Sequence, residues 1–126
     1  MTKGTFQHDV HAWMLRCFGE EVAGDERDRS HRFIEEALEL VQATGATKNE
    51  CLQLVDYVYS RPVGNRSQEV GGVAVTLAAL CTAAGINLEE AQGIELARVW
   101  KKIDAIRAKH RSKPALSPLP GKAVTP

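Results

Sequence analysis

Three glutamates, Glu35, Glu36 and Glu39, stand close together in the stretch FIEEALEL, Phe33 to Leu40. A helix advances about 100° per residue, so the three carboxylates share an arc roughly 100° wide. Such a cluster either faces water, since glutamate is a good helix former on a solvated face, or holds a hard cation through oxygen. Phe33, Ile34, Ala37, Leu38, Leu40 and Val41 fill the opposite side, the pattern of an amphipathic helix on a core, which suits the first reading. No lysine or arginine follows at i+4 to relieve the like-charge repulsion, which suits the second.

Glu69 adds a fourth carboxylate. It is the only formally charged side chain in SQEVGGVAVTLAALCTAAGIN, a helical stretch apolar nearly all round and therefore expected to be buried on most sides. A lone carboxylate there is expensive unless it is paired or bound to metal. The helix dipole offsets only about 0.3–1 kcal/mol of that cost. If the two helices pack antiparallel, Glu36 and Glu39 converge on Glu69 in an all-oxygen site. Magnesium and manganese choose such ligands and typically bridge to substrate phosphate oxygens.

The elements that must position these groups are all helical. Val10, Trp13, Met14 and Cys17 form one stripe at i, i+3, i+4 and i+7, on a helix ending near Gly19. EEVAGDERDRS then reads as an exposed loop in which Asp28 or Ser30 caps the glutamate helix, which stops around Gly45. Thr47 with Glu50 makes a capping box for a short helix ended by Pro62. The apolar helix from Glu69 ends at Gly85, and its Gly71 and Gly72 either make room for a close neighbour or allow tight helix packing. Asn87, with Glu90 three residues on, opens one last helix with Leu96, Val99, Trp100, Ile103 and Ile106 as its buried stripe. No strand alternation or repeat competes. The expectation is an all-α bundle of four or five helices over residues 1–110, with a proline-rich, loosely held tail over 111–126.

A chain of 126 residues suits one modest core. Sixteen basic and sixteen acidic side chains cancel, which argues against a general nucleic-acid or anionic-membrane binder. Cys17, Cys51 and Cys81 form no CxxC pair and read as small buried residues of a reducing cytoplasm. MTKGTFQHDVHAWM lacks the apolar core of a signal peptide. The apolar helix is rich in small residues and reads as a subunit interface rather than a membrane span, so a homodimer or homotetramer is expected. His8, His11 and His31 have no partners at zinc-like spacing and read as ordinary surface or capping residues.

The stretches RFIEEALELVQATG and QEVGGVAVTLAALCTAAGINLEEAQGIELARVWKKI together resemble the MazG-type all-α nucleoside triphosphate pyrophosphatases over roughly residues 29–110. Within that family the small phage and bacterial purine deoxynucleotide pyrophosphohydrolases of the MazZ type are most similar. The resemblance implies a cytoplasmic enzyme, acting in the host cell if phage-encoded. It would use two or more Mg2+ or Mn2+ ions to convert a purine triphosphate, dGTP or GTP, to monophosphate and pyrophosphate. Glu36, Glu39 and Glu69 would be metal ligands, with Glu35 or Glu39 positioning the attacking water.

The sequence departs from the family pattern at Gly72, where an aspartate ligand is expected. Either the metal complement differs, a water fills the place, or Asp56 reaches in. Arg98, Lys101 and Lys102 are candidates for the phosphates and Trp13 for the base, while their other readings are an exposed basic face and a core ring. Alternatives in substrate are a modified nucleotide, dUTP or dCTP. The alternative in class is a helical nucleotide-binding or interaction module without catalysis.

Overall fold

The computed structural model describes residues 4–114 and 117–119. Among these the backbone forms seven helices and no strand: α1 (Phe6–Cys17), α2 (Glu20–Ala23), α3 (Glu26–Ala43), α4 (Lys48–Tyr59), α5 (Arg66–Ala84), α6 (Leu88–Trp100) and α7 (Ile103–Arg111). The chain is all-α. It divides into two compact units, residues 1–34 with 92–126, and residues 35–91; the boundaries fall inside α3 and α6.

In the first unit the hydroxyl of Thr5 accepts from the His8 N–H at 3.1 Å and starts α1. The predicted stripe on α1 becomes the core: Trp13, Met14 and Cys17 are buried, with Val10, Phe18, Leu96, Val99, Ile103 and Ile106 packed against them. Helix α1 pairs closely with α2 and α7. Arg107 of α7 donates from Nε to the Cys17 carbonyl at 2.6 Å and from Nη2 to the Arg16 carbonyl at 2.9 Å. Carbonyls left open at the end of α1 thus meet a cation placed where the helix dipole is negative.

Two features of this unit differ from the sequence expectation. The charged stretch after Gly19 contains the short α2, and α3 starts earlier, at Glu26. Its cap is Asp25, whose Oδ1 accepts from the Asp28 N–H at 3.1 Å; Asp28 sits inside the first turn and Ser30 caps nothing. The last helix is broken in two. Lys101 and Lys102 donate to the carbonyls three residues back, at 3.1 Å each, and α7 restarts with Lys102 as its N-cap. No glycine or proline marks this break.

In the second unit the capping box of α4 is complete: the Thr47 hydroxyl accepts from Glu50 N–H at 3.1 Å and the Glu50 carboxylate from Thr47 N–H at 3.0 Å. These bonds hold the exposed Glu50 carboxyl below its ordinary range. Asn65 caps α5 by accepting from Gln68 N–H at 3.0 Å, which places the helix start three residues before Glu69. Gly85 ends α5 in the left-handed region at φ 71°, while Ile86 N–H reaches back to the Cys81 carbonyl at 2.8 Å. Asn87 then accepts from Glu90 N–H at 2.9 Å.

Burial in this unit is sparse, and the rest of the chain does not cover α5, the helix expected to be buried on most sides. Among its described residues only Cys81 is buried, and Val70 and Val75 are each 70% exposed. Helices α3, α4 and α5 form no close pair comparable to those of α1. Leu38, Leu52, Leu54, Val55 and Val58 are exposed as well. By length and composition α5 is the one described helix apolar enough to cross a membrane. Space beside Gly71 and Gly72 is open: apart from the adjoining helix backbone, no atom of the described residues lies within 4 Å of where a Cβ would stand. Within one chain, neither glycine accommodates a neighbour.

Candidate functional site

Glu35, Glu36 and Glu39 project from the second half of α3, Glu35 half-buried and the other two exposed. Asp56 is exposed on α4, and Glu69 is exposed in the first turn of α5. Among the described residues no three His, Cys, Asp or Glu side chains come together as a group able to hold a metal ion. The single chain therefore does not gather Glu36, Glu39 and Glu69 into one cage. The donor chemistry still fits a hard cation, since all these groups are carboxylates. In the single chain α5 is uncovered and the Glu69 carboxylate reaches solvent.

What surrounds Glu69 is more specific. It lines a groove of about 720 Å³ together with Val58, Tyr59, Arg61, Val63 and Arg66. Helix α4 ends at Tyr59 with Ser60 as its C-cap, and the loop through Pro62 turns so that Gly64 lies against the Glu69 side chain. A Cβ on Gly64 would stand 3.3 Å from the Glu69 carboxylate, so the missing side chain makes the room that the carboxylate occupies. The Arg61 guanidinium lies 4.3 Å from the centroid of the Tyr57 ring, an aromatic support that orients it while leaving its donors available. Tyr59 is 84% exposed. One groove thus joins a carboxylate, two guanidiniums and an exposed ring.

Sequence reasoning missed Arg61, Arg66 and Tyr59. The local signal was SRPVGNR, a proline and glycine loop between two arginines directly before the Glu69 helix.

The other anticipated phosphate and base contacts belong to the first unit. Arg98 is held by Glu95 of its own helix, through Nε at 2.8 Å and Nη2 at 2.7 Å, and this pairing keeps the Glu95 carboxyl below its ordinary range. Lys101 and Lys102 are exposed at the break between α6 and α7. Trp13 lies in the core with the Phe18 ring edge-on at 5.9 Å, and its Nε1 has no partner among the described residues. Trp100 is the more open indole, 42% exposed.

The first unit also holds a charged cluster that no sequence spacing announced. His110 Nε2 lies 2.9 Å from Asp28 Oδ2, across 82 residues of chain. Arg29 pairs with the same carboxylate, and Arg32 reaches its other oxygen at 4.0 Å. Burial pushes the Asp28 carboxyl upward, but the bonds and charges of His110 and Arg29 outweigh it and hold the group below its ordinary value. Phe18 packs on the His110 ring with centroids 4.9 Å apart. Arg32 also donates to the Pro118 carbonyl, which ties a described part of the tail to α3; residues 115–116 and 120–126 of the expected tail lie outside the described residues. Burial pushes up the Cys17 thiol, and all three cysteines are free.

No family model, curated protein or solved structure matches this chain.

Proposed function

We propose that this chain is a subunit of a metal-dependent nucleoside triphosphate pyrophosphohydrolase of the MazG-like type, acting on a purine triphosphate with dGTP or GTP preferred. The observation that carries the reading is the groove in which Glu69 stands beside Arg61, Arg66 and Tyr59. A triphosphate needs cations along its length, and guanidiniums match phosphate oxygens in pairs. An exposed tyrosine offers a base a stacking face. The acidic face of α3 supplies the remaining carboxylates.

In this reading Glu36, Glu39 and Glu69 would hold Mg2+ or Mn2+ in the assembled protein, and the metal would neutralise the triphosphate and polarise phosphorus. Glu35 or Glu39 orients the water and accepts its proton as it attacks the α-phosphorus. Arg61 and Arg66 neutralise charge as the bond to the bridging oxygen breaks and pyrophosphate leaves. Replacing both arginines by alanine raises KM for dGTP about tenfold or more, with a smaller fall in kcat. Unchanged KM in the double variant would remove the groove from the substrate site.

A second copy of the chain completes the assembly. Exposing a valine or leucine forgoes roughly 1.5–3 kcal/mol relative to burying it. Several such side chains on α4 and α5 together forgo an amount comparable to the whole stability of a small domain. Covering α5 with another copy recovers this energy, gives the open side of Gly71 and Gly72 a neighbour, and removes water from around Glu69. Light scattering at micromolar concentration is expected to show a homodimer or homotetramer. A stable monomer contradicts this.

A further inference from the structure

We infer that the cleft between the start of α3 and the end of α7 is a second anion-binding site, one that takes a compact phosphate-bearing anion. None of its residues belongs to the Glu69 groove. The cleft encloses about 410 Å³, within the range of small-ligand pockets, and its lining includes Asp25, Arg27, Asp28, His110, Arg111 and Lys113.

Its charge balance decides what it takes. Both acids are already engaged: Asp25 caps α3, and Asp28 is matched by Arg29, Arg32 and His110. Arg27 and Arg111 line the same space, and neither meets a carboxylate among the described residues. Two guanidiniums left to face one cleft repel each other and are stabilised by a shared anion, with which each can form paired hydrogen bonds. The imidazole of His110 is held from two sides, by Asp28 at Nε2 and by the Phe18 ring, tilted 53° to it. Its Nδ1 has no partner among the described residues and is the atom left for a ligand. Such a fixed ring loses little freedom on binding, which is the advantage of a preorganised site. Pro114 and Ser117 form one wall, so the described part of the chain beyond α7 helps build the cleft.

The test is calorimetric titration of the full chain with inorganic pyrophosphate and, separately, inorganic phosphate, in EDTA so that no divalent ion contributes. Saturable binding is expected, weakened tenfold or more in Arg27→Ala/Arg111→Ala and still present in Arg61→Ala/Arg66→Ala, whose replaced arginines line the other groove. Both replaced arginines of the first variant are exposed, so the variant keeps its fold, and circular dichroism verifies this. No saturable binding of either anion overturns the inference, as does binding whose affinity and stoichiometry are the same in Arg27→Ala/Arg111→Ala as in the wild type. Loss in Arg61→Ala/Arg66→Ala alone would assign the anion to the Glu69 groove and equally overturn it.

Discussion

Replacing Glu36 and Glu39 together by glutamine is expected to lower magnesium-dependent release of monophosphate from dGTP by about a thousandfold or more. The magnitude follows from removing two oxygen ligands and, with Glu39, a candidate for the group that accepts the water's proton, which by itself contributes about 10²–10⁴. Both side chains are exposed, so the glutamines keep helix propensity and relieve like-charge repulsion without opening a cavity. The thermal midpoint should move by no more than about 2 °C, as for ordinary surface changes. Activity and stability are thereby separated. A double variant with undiminished turnover would return the three glutamates to the solvated helix face that FIEEALEL equally suggests.

Asp28→Asn is expected to be the most destabilising conservative change in the first unit, costing about 2–3 kcal/mol at neutral pH. The carboxylate accepts from His110 and Arg29 and faces Arg32, so removing its charge leaves the two guanidiniums of α3 without their counterion and weakens the bond to His110 on α7. The acid limb of the stability profile carries the sign. The folded carboxyl is held below its ordinary value of 3.8, so its contribution is present above that value and disappears as pH falls through the lower folded value. Wild type and variant should differ most near neutral pH, begin to converge below about pH 4, and meet once the pH is below the folded value. Thermal unfolding followed by circular dichroism from pH 7 to pH 2.5 measures both curves. A constant offset across that range would show that the carboxylate charge is not what joins α3 to α7.

Where the determinants of structure are local, the sequence displays them. Thr47 and Glu50 sit three residues apart and bond as a capping box; Gly85 stands where α5 must turn into the left-handed region; the stripe Val10, Trp13, Met14 and Cys17 becomes the core face of α1. Asp25 shows the limit of the same logic, because several acids and a serine competed for one cap and only backbone geometry selected among them. The break at Lys101 and Lys102 has no local breaker: Ile103 and Ile106 pack on the α1 core after it, a tertiary demand that propensity does not carry.

The candidate sites divide in the same way. Spacing alone reveals that Glu35, Glu36 and Glu39 share a face, and periodicity alone reveals that α5 is apolar on every side. Neither specifies what α5 lies against. The pairing of Asp28 with His110 spans 82 residues, and the meeting of Arg61 and Arg66 with Glu69 depends on how the loop through Gly64 turns. Both required a fold before they could be seen.

The most direct test of the central claim is to incubate the purified chain with dGTP and Mg2+ or Mn2+ and resolve the products by chromatography. The predicted result is dGMP and pyrophosphate in equal amounts, abolished by EDTA. Release of dGDP with phosphate, or no turnover of dGTP or of any other canonical nucleoside triphosphate, would contradict it.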